Sequence, residues 1–424
     1  TPVEARTFYG DVAPLLADAC GSCHAAGGIS AIAFETFEDV VEWAPAIKAA
    51  VDSRAMPPFN LNNDGSCNTY ADARWLGEEE IAVIDDWIEG GLKEGDVALG
   101  MPEPSPLPRL EGANITTLAG PTDYHPISEG LALAAADDYQ CFLVDPGLDR
   151  DKFLVGYDVQ PGNASVVHHV IGFNVDLDRT VVIPGQGVTT NRALIDDLQA
   201  QSPDTEGWDC FSAAGEGVMI EGVPVTWAPG TGATRFPEGT GIRIADDEVM
   251  VLQIHYNLAA DDGVPDNTTV DLDLVDEVDR EAHMVLADGF LMTLLSPEPA
   301  ELPPGEADAE FSWSMALDEL PSQDLSHLDE IEVLGILPHM HERGRTMTVE
   351  FETDEGASCG AQVDRWAFEW QQAYFLEQPL RTRVGNPMNV SCTYDTRSAE
   401  GPVGPGFGTA DEMCLAGVYI APAR

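Results

Sequence analysis

Over the first hundred residues, apolar positions recur at helical spacing. The clearest stretch is Leu76 to Ile88, where Ile81, Ile84 and Ile88 follow at i, i+3 and i+7 behind Glu78, Glu79 and Glu80, acids suited to the positive end of a helix. Tyr9 to Ala19 and Phe34 to Val51 predict two more helices, the second broken near Pro45, whose ring removes a helical hydrogen bond. Met101 to Pro108 reads MPEPSPLP, and so many prolines propagate neither helix nor sheet. This predicts a stiff, extended linker. From Pro121 onward the period falls to two, in short apolar runs: Lys152 to Val159, Val166 to Val175, Val249 to Leu258, Thr268 to Leu274, Ile331 to Leu337, Met347 to Phe351 and Leu415 to Ile420. Turn clusters such as Pro229-Gly230-Thr231-Gly232 divide these predicted strands. A stretch of about 300 residues is long for one β-sandwich, so two are expected, parting near Val275 to Glu281. The expected fold is therefore multidomain. A small all-α domain occupies residues 1–100, a proline-rich linker 101–120, and two all-β sandwich domains, jelly-roll-like, 121–278 and 279–424.

Composition narrows the partners. Seventy-four Asp plus Glu against 20 Lys plus Arg give a formal charge of −54, which repels a nucleic-acid backbone or an anionic membrane surface. An acidic, solvated surface of this kind suits salty surroundings, where screening removes the self-repulsion. No apolar run approaches the ~20 residues that a membrane-spanning helix requires, so no membrane span is expected. A chain of 424 residues can bury a sizeable core without disulfides or metals.

Eight cysteines are present, and two of them stand in Cys20-Gly21-Ser22-Cys23-His24. This is CxxCH, in which both thiols bond covalently to haem vinyl groups and the histidine ligates the iron. Met56, in Arg54-Ala55-Met56-Pro57-Pro58-Phe59, offers a soft thioether as the opposite axial ligand, a choice that raises the reduction potential. A zinc or dithiol site with a core methionine is the competing reading. The order of helix, CxxCH, Met-Pro-Pro and second helix resembles small c-type cytochromes over residues 1 to about 98. That resemblance implies a covalent haem c held by Cys20, Cys23, His24 and Met56, which carries electrons. The other six cysteines can form three bridges among 15 connectivities in a non-reducing compartment. The first residue, Thr rather than Met, reads as a processed or trimmed chain. A periplasmic or secreted location is expected.

Nine histidines occur, and five fall in three short β-like segments. His168 and His169 are adjacent inside Val166 to Val170, and neighbouring strand residues normally face opposite sides. Both reach one metal only if the backbone bulges locally or the rings use different nitrogens. His255 lies in the apolar run Val251 to Tyr256. Pro338-His339-Met340-His341 is HxH, whose i, i+2 spacing puts both imidazoles on one face of a strand, ready to clamp a metal. Singly, each segment fits a core histidine as well as a ligand. Asp411-Glu412-Met413-Cys414, singly, fits a core methionine.

Their order carries more. His-His, Gln-x-His-Tyr, HxH and Asp-Glu-Met-Cys, all on β segments, resemble the type II copper, ascorbate-dependent monooxygenases, the peptidylglycine alpha-hydroxylating and dopamine beta-monooxygenase family. The likeness runs from about Tyr139 to Ile420. It includes Tyr139-Gln140-Cys141, the Trp227 to Gly241 segment, and Trp370-Gln371-Gln372-Ala373-Tyr374. It implies two copper ions, an electron-transfer copper on His168, His169 and His255 and a catalytic copper on His339, His341 and Met413. They face one another across an open, solvent-filled cleft. Ligand chemistry agrees, because an added thioether favours Cu(I), the state that must meet dioxygen. The resemblance also implies a Cys392–Cys414 bridge and, less directly, Cys141–Cys210. Cys67 and Cys359 remain without an assigned pairing.

The function this implies is hydroxylation of a C–H bond in a small-molecule substrate with dioxygen. Electrons would come from an external donor and be relayed through the attached haem. Where peptide-hydroxylating relatives hold a carboxylate with an arginine, an asparagine and a tyrosine, this chain has Leu337, Leu415 and Gly417, which implies a less charged substrate. Gln253 fits either a contact near the metal or a structural role. Two other classes compete: a non-catalytic haem and copper electron-transfer protein, and a copper-sequestering or adhesion protein.

Overall fold

The structure, a computed structural model, describes residues 6–26, 28–127, 137–183, 187–210, 213–258, 262–320, 325–408 and 410–424. Short helices Ala13–Ala19 and Gly21–His24 meet at Cys20, and two longer ones, Phe37–Asp52 and Glu78–Glu89, pack on them. Thr36 and Asp39 form a capping box that starts the third helix. That helix runs through Pro45 without the expected break. Pro45 stands on its exposed face, where a carbonyl deprived of its partner can meet water.

Beyond residue 114 the chain is mostly β. One nine-stranded sheet runs in the order Ile115–Ala119, Thr269–Val275, Lys152–Gln160, Thr240–Ile244, Arg280–Asp288, Leu415–Pro422, Glu330–His339 and Tyr374–Arg383, with Thr234–Arg235 beside the third. A five-stranded sheet, Trp208–Asp209, Asp137–Val144, Glu248–Asn257, Val167–Asp176 and Gly222–Trp227, covers its first half. Between them lie Leu154, Val170, Leu252, Ile254 and Leu272, all buried. A four-stranded sheet, Ala309–Ala316, Pro387–Tyr394, Gly344–Thr353 and Gly356–Val363, covers the second half over Val285, Ile331, Val349, Val390 and Val418. These are β-sandwich layers with two cores.

Three features differ from the sequence-based expectation. Thr240–Ile244 and Arg280–Asp288 pair in parallel, so one sheet continues across the point near residue 278 where two domains were expected to part. The stretch expected as linker ends in a strand, Ile115–Ala119, paired with Thr269–Val275. Its proline-rich part is irregular but laid down on both sides, with Ser105 N–H donating to Ala17 O at 3.0 Å and Ala233 N–H to Pro108 O at 2.8 Å. A helix, Asn191–Gln201, interrupts the β region, capped by the Thr190 hydroxyl.

The first hundred residues also do not close on themselves. Phe59, Leu61 and Tyr70 are part of the second β core. Backbone bonds Asn62 N–H to Gln362 O (2.8 Å), Ala71 N–H to Phe375 O (2.8 Å) and Glu377 N–H to Thr69 O (3.0 Å) stitch this segment to the C-terminal layers. Cys67 is bonded to Cys359, the pairing left open by the sequence; the other disulfides are Cys141–Cys210 and Cys392–Cys414.

Candidate active site

The first cluster arises from a flaw in strand pairing. Along Val167–Asp176 and Glu248–Asn257 the register runs His255 opposite His169, then Tyr256 opposite Val167. His168 is the residue skipped, a β-bulge that turns both adjacent imidazoles to one side. The three Nδ1 atoms approach one another: His168 to His255 at 3.1 Å, His168 to His169 at 3.4 Å and His255 to His169 at 3.4 Å. A point equidistant from all three lies about 1.9 Å from each, close to a metal–imidazole bond length of ~2.0 Å. Burial holds all three rings below the ordinary imidazole range, and neighbouring imidazoles push His169 further down. Neutral rings with converging lone pairs are what a metal requires. Tyr139 stacks flat on His255 at 4.0 Å between centroids. Asp137 Oδ1 lies 3.2 Å from His255 Nε2, without the alignment of a hydrogen bond.

The second cluster sits where Glu330–His339 ends. His339 and His341 share a side while Met340 between them enters the core. The His339 Nδ1–H donates to Gln371 Oε1, and His341 Nδ1 lies 3.1 Å from Asp411 O. Each ring thereby keeps Nε2 for a ligand, the arrangement by which outer partners fix metal-bound imidazoles. Burial pushes His339 down to about 3 and lowers His341 as well. Met413 is placed by its neighbours. Glu412 accepts from His341 N–H at 2.9 Å and Arg343 N–H at 2.7 Å, Tyr394 OH donates to Met413 O at 2.8 Å, and Cys414 is bonded to Cys392. Burial pushes the Glu412 carboxyl up to about 8.

A cavity of about 450 Å³ joins the clusters, lined by His169 on one side and His339, His341 and Met413 on the other. Ile171, Phe173, Ile220, Val223, Leu286, Leu291, Leu337, Phe407 and Leu415 make its walls apolar, and none of the described lining residues is Lys or Arg. Phe368 stands between the clusters, its ring 5.9 Å from His168 and 6.2 Å from His341. Gln253 also lines the cavity, but its amide is spent on Cys210 O at 2.9 Å and Ala213 O at 2.7 Å, which favours the structural role.

A second cavity, of about 420 Å³, is lined by Cys20, Cys23, His24, Met56, Arg74, Trp370 and His168. Cys20 and Cys23 carry free thiols, and burial beside Cys23 pushes Cys20 up to about 12. His24 Nδ1 lies 2.9 Å from Ile32 O, and the ring stacks on Phe34 at 4.4 Å. Gly230, at φ +80°, lets the β domain close on this wall: a Cβ there would sit 3.4 Å from Cys23 Sγ. Two free thiols, an imidazole held at Nδ1 and a thioether thus line one cavity.

Every residue singled out from the sequence as a ligand lines one of these two cavities or belongs to the three-histidine cluster. Among the other histidines, His283 and His327 pair with each other at 5.9 Å, away from both cavities. Sequence reasoning assigned no role to Asn60, Phe368 or Arg74, and quoted Gln371 and Trp370 without one. For Trp370 and Gln371 the signal was the Trp370 to Tyr374 run; Asn60, Arg74 and Phe368 lie outside it.

Residues 288–422 match the family model of the copper type II ascorbate-dependent monooxygenase, C-terminal domain. Similar proteins include tyramine beta-hydroxylase of Caenorhabditis briggsae, 26% identical over 47% of this chain and 34% of that protein. DBH-like monooxygenase protein 1 of Homo sapiens is 21% identical over 62% of this chain and 40% of its own. Putative DBH-like monooxygenase protein 2 of Homo sapiens is 25% identical over 50% and 43%. The chain thus spans less than half the length of these curated relatives. Among solved structures, the cowpea mosaic virus top component aligns over 74% of this chain and 91% of its own at a TM-score of 0.28 and 11% identity, too slight a likeness to bear on function. Residues 288–422, about a third of the chain and the part that carries His339, His341 and Met413, are thus similar to the C-terminal domain of the copper type II ascorbate-dependent monooxygenases.

Proposed function

We propose that this protein hydroxylates a C–H bond of a small, weakly polar substrate with dioxygen, drawing electrons through a covalently attached haem. The balance is R–H, O2, two electrons and two protons to R–OH and water. The observation that carries this reading is the cavity that both His169 and the His339, His341, Met413 group line. Copper at the two clusters and haem c at Cys20 and Cys23, when bound, supply one-electron transfer and reaction with dioxygen.

The chain's own residues do the rest. His168, His169 and His255, held neutral by burial, receive a metal without first losing protons. His339 and His341, oriented by Gln371 and Asp411 O, present Nε2, and Met413 adds a soft sulfur. Leu337 and Leu415 line the cavity where the resemblance implies carboxylate-binding residues, so the walls reward an apolar body and offer no cation to an anionic group. The haem reading rests on one wall: the cavity of Cys20, Cys23, His24 and Met56 includes His168. Three disulfides suit an oxidising, periplasmic or secreted location. Among the described residues, no helix is long and apolar enough to cross a membrane.

The test is oxygen consumption and product analysis with copper-loaded protein on a panel of C–H substrates, beside Met413→Ile. Hydroxylated product from the wild type alone supports the reading; equal behaviour of the two refutes it. The shared His168 wall also fits a non-catalytic haem and copper electron carrier. That alternative predicts haem-to-copper electron transfer in stopped flow with no product from any substrate.

A further inference from the structure

We propose that Asn60, in the haem-side segment, is a positioning residue for the His339 imidazole, acting through the loop Trp366 to Gln372. The inference rests on the reading of His339 as a metal ligand; Asn60 itself lies outside the matched residues 288–422.

The loop needs outside support. Residues 367–373 form no helix or strand, so no ladder of their own holds them. Yet the loop carries the group that orients the His339 ring and one that holds the His341 backbone. Trp366 Nε1–H donates to His341 O at 3.0 Å, and Gln371 Oε1 receives the His339 Nδ1–H. Gln371 is itself held by its Nε2–H to Phe368 O at 2.7 Å, within the same loop.

Asn60 pins that loop at both ends. Its Nδ2 donates to Ala367 O at 3.1 Å and Trp370 O at 2.9 Å, and its Oδ1 accepts from Ala367 N–H at 2.9 Å. Its own N–H donates to Tyr374 OH at 3.2 Å, just past the loop. The residue is 4% exposed, so little water competes for these bonds. Asn60 is four residues beyond Met56, and its segment is bolted to the β layers by Cys67–Cys359. A continuous path of short bonds therefore runs from the haem-side cavity to the ring of a candidate copper ligand. Partners behind a metal ligand typically change affinity by about 10–100-fold when lost.

The experiment uses the full chain as wild type, Asn60→Ala, Asn60→Asp, Gln371→Leu and the double variant Asn60→Ala/Gln371→Leu. Two readouts are taken: the Cu(I) dissociation constant of each cluster by competition with a chromogenic chelator, and the His339 tautomer in metal-free protein by 15N NMR. The expected result is Cu(I) binding weakened by about tenfold or more at the His339 cluster in Gln371→Leu and Asn60→Ala, with the three-histidine cluster unchanged. Asn60→Asp keeps the acceptor for Ala367 N–H but turns a carboxylate oxygen toward Ala367 O and Trp370 O, so it should weaken binding at least as much as Asn60→Ala. If Asn60 works through Gln371, the double variant is no weaker than Gln371→Leu. Unchanged affinity and tautomer in Asn60→Ala, additive losses in the double variant, or equal loss at both clusters would each overturn the proposal. Should wild-type protein bind no copper at His339, the metal reading fails, while the tautomer still decides whether Asn60 sets the ring.

Discussion

Phe59→Ala tests whether the N-terminal segment is built into the β layers or merely attached to them by the proline-rich stretch. Phe59 is 9% exposed and meets Tyr374 edge to face at 4.8 Å, with Tyr70 at 6.3 Å. Truncating a buried phenylalanine costs about 3–5 kcal/mol from lost transfer energy and the cavity left behind. The edge-to-face pair accounts for about 0.5–1.5 kcal/mol of that. Because Cys67–Cys359 still holds the segment, the loss should appear as local opening around residues 57–71. The amides of Asn62 and Ala71, bonded to Gln362 O and Phe375 O, report it directly. Hydrogen exchange read by mass spectrometry should find their protection reduced by about 100-fold or more, since each ~1.4 kcal/mol is a factor of ten. Protection unchanged within threefold would show that this contact does not hold the segment, and the account of a shared core would be wrong.

Replacing Cys67 and Cys359 together by serine, which opens a closure of 292 residues, should lower the urea midpoint by the equivalent of about 2–4 kcal/mol, less than loop entropy alone predicts because the core contacts remain. Glu412 supplies a pH test. Its carboxyl is pushed up to about 8, so the folded chain keeps a proton that the unfolded chain releases above about 4.5, and stability falls as pH rises between these values. Wild type should therefore lose up to ~4 kcal/mol relative to Glu412→Gln between pH 5 and 8, at ~1.4 kcal/mol per unit. The buried histidines titrate with the opposite sign but are common to both proteins, so a flat difference in urea-derived stability would refute the assignment. Leu337→Arg places a cation on the cavity wall and should move binding toward carboxylate-bearing ligands by about tenfold, measured by calorimetry on matched neutral and anionic compounds.

Local pattern reached a good part of this molecule. Period-two alternation located the strands that bear His168, His169 and His255 within a residue at each end, while the run Ile331 to Leu337 stopped two residues short of His339, which ends its strand; His341 lies past that strand yet lines the same cavity as His339. The adjacent pair His168 and His169 even demanded a backbone irregularity, which the skipped register supplies. Other features depend on groups far apart in sequence, where no local period exists. Asn60 is about 310 residues from the carbonyls it holds, and Cys67 is 292 from Cys359. The parallel pairing of Thr240–Ile244 with Arg280–Asp288 leaves no mark on either strand's own alternation, because its register joins residues 40 apart. Thr190 and the spacing of Leu194, Ile195 and Leu198 did mark the helix Asn191–Gln201, but the surrounding strand signals masked it.

The position of Phe368 decides what kind of cleft these clusters can share. Here an aromatic ring reaches His168 on one side and His341 on the other, above walls of isoleucine, leucine, valine and phenylalanine. Such walls stabilise an apolar substrate by about 25 cal/mol per Å² of surface taken from water and give nothing back to a desolvated charge. Selectivity must then come from shape along the cavity and from the few polar side chains that line it, which include Tyr139, Thr226, Asp288 and Gln371 beside the histidines. Any shift of the loop that carries Phe368 changes the gap between the clusters and the orientation of His339 together, because Gln371 lies three residues along the same irregular backbone. The shape of the cavity, the orientation of the His339 ring and the Asn60 anchor are therefore mechanically one problem in this chain, because all three meet in residues 366–372.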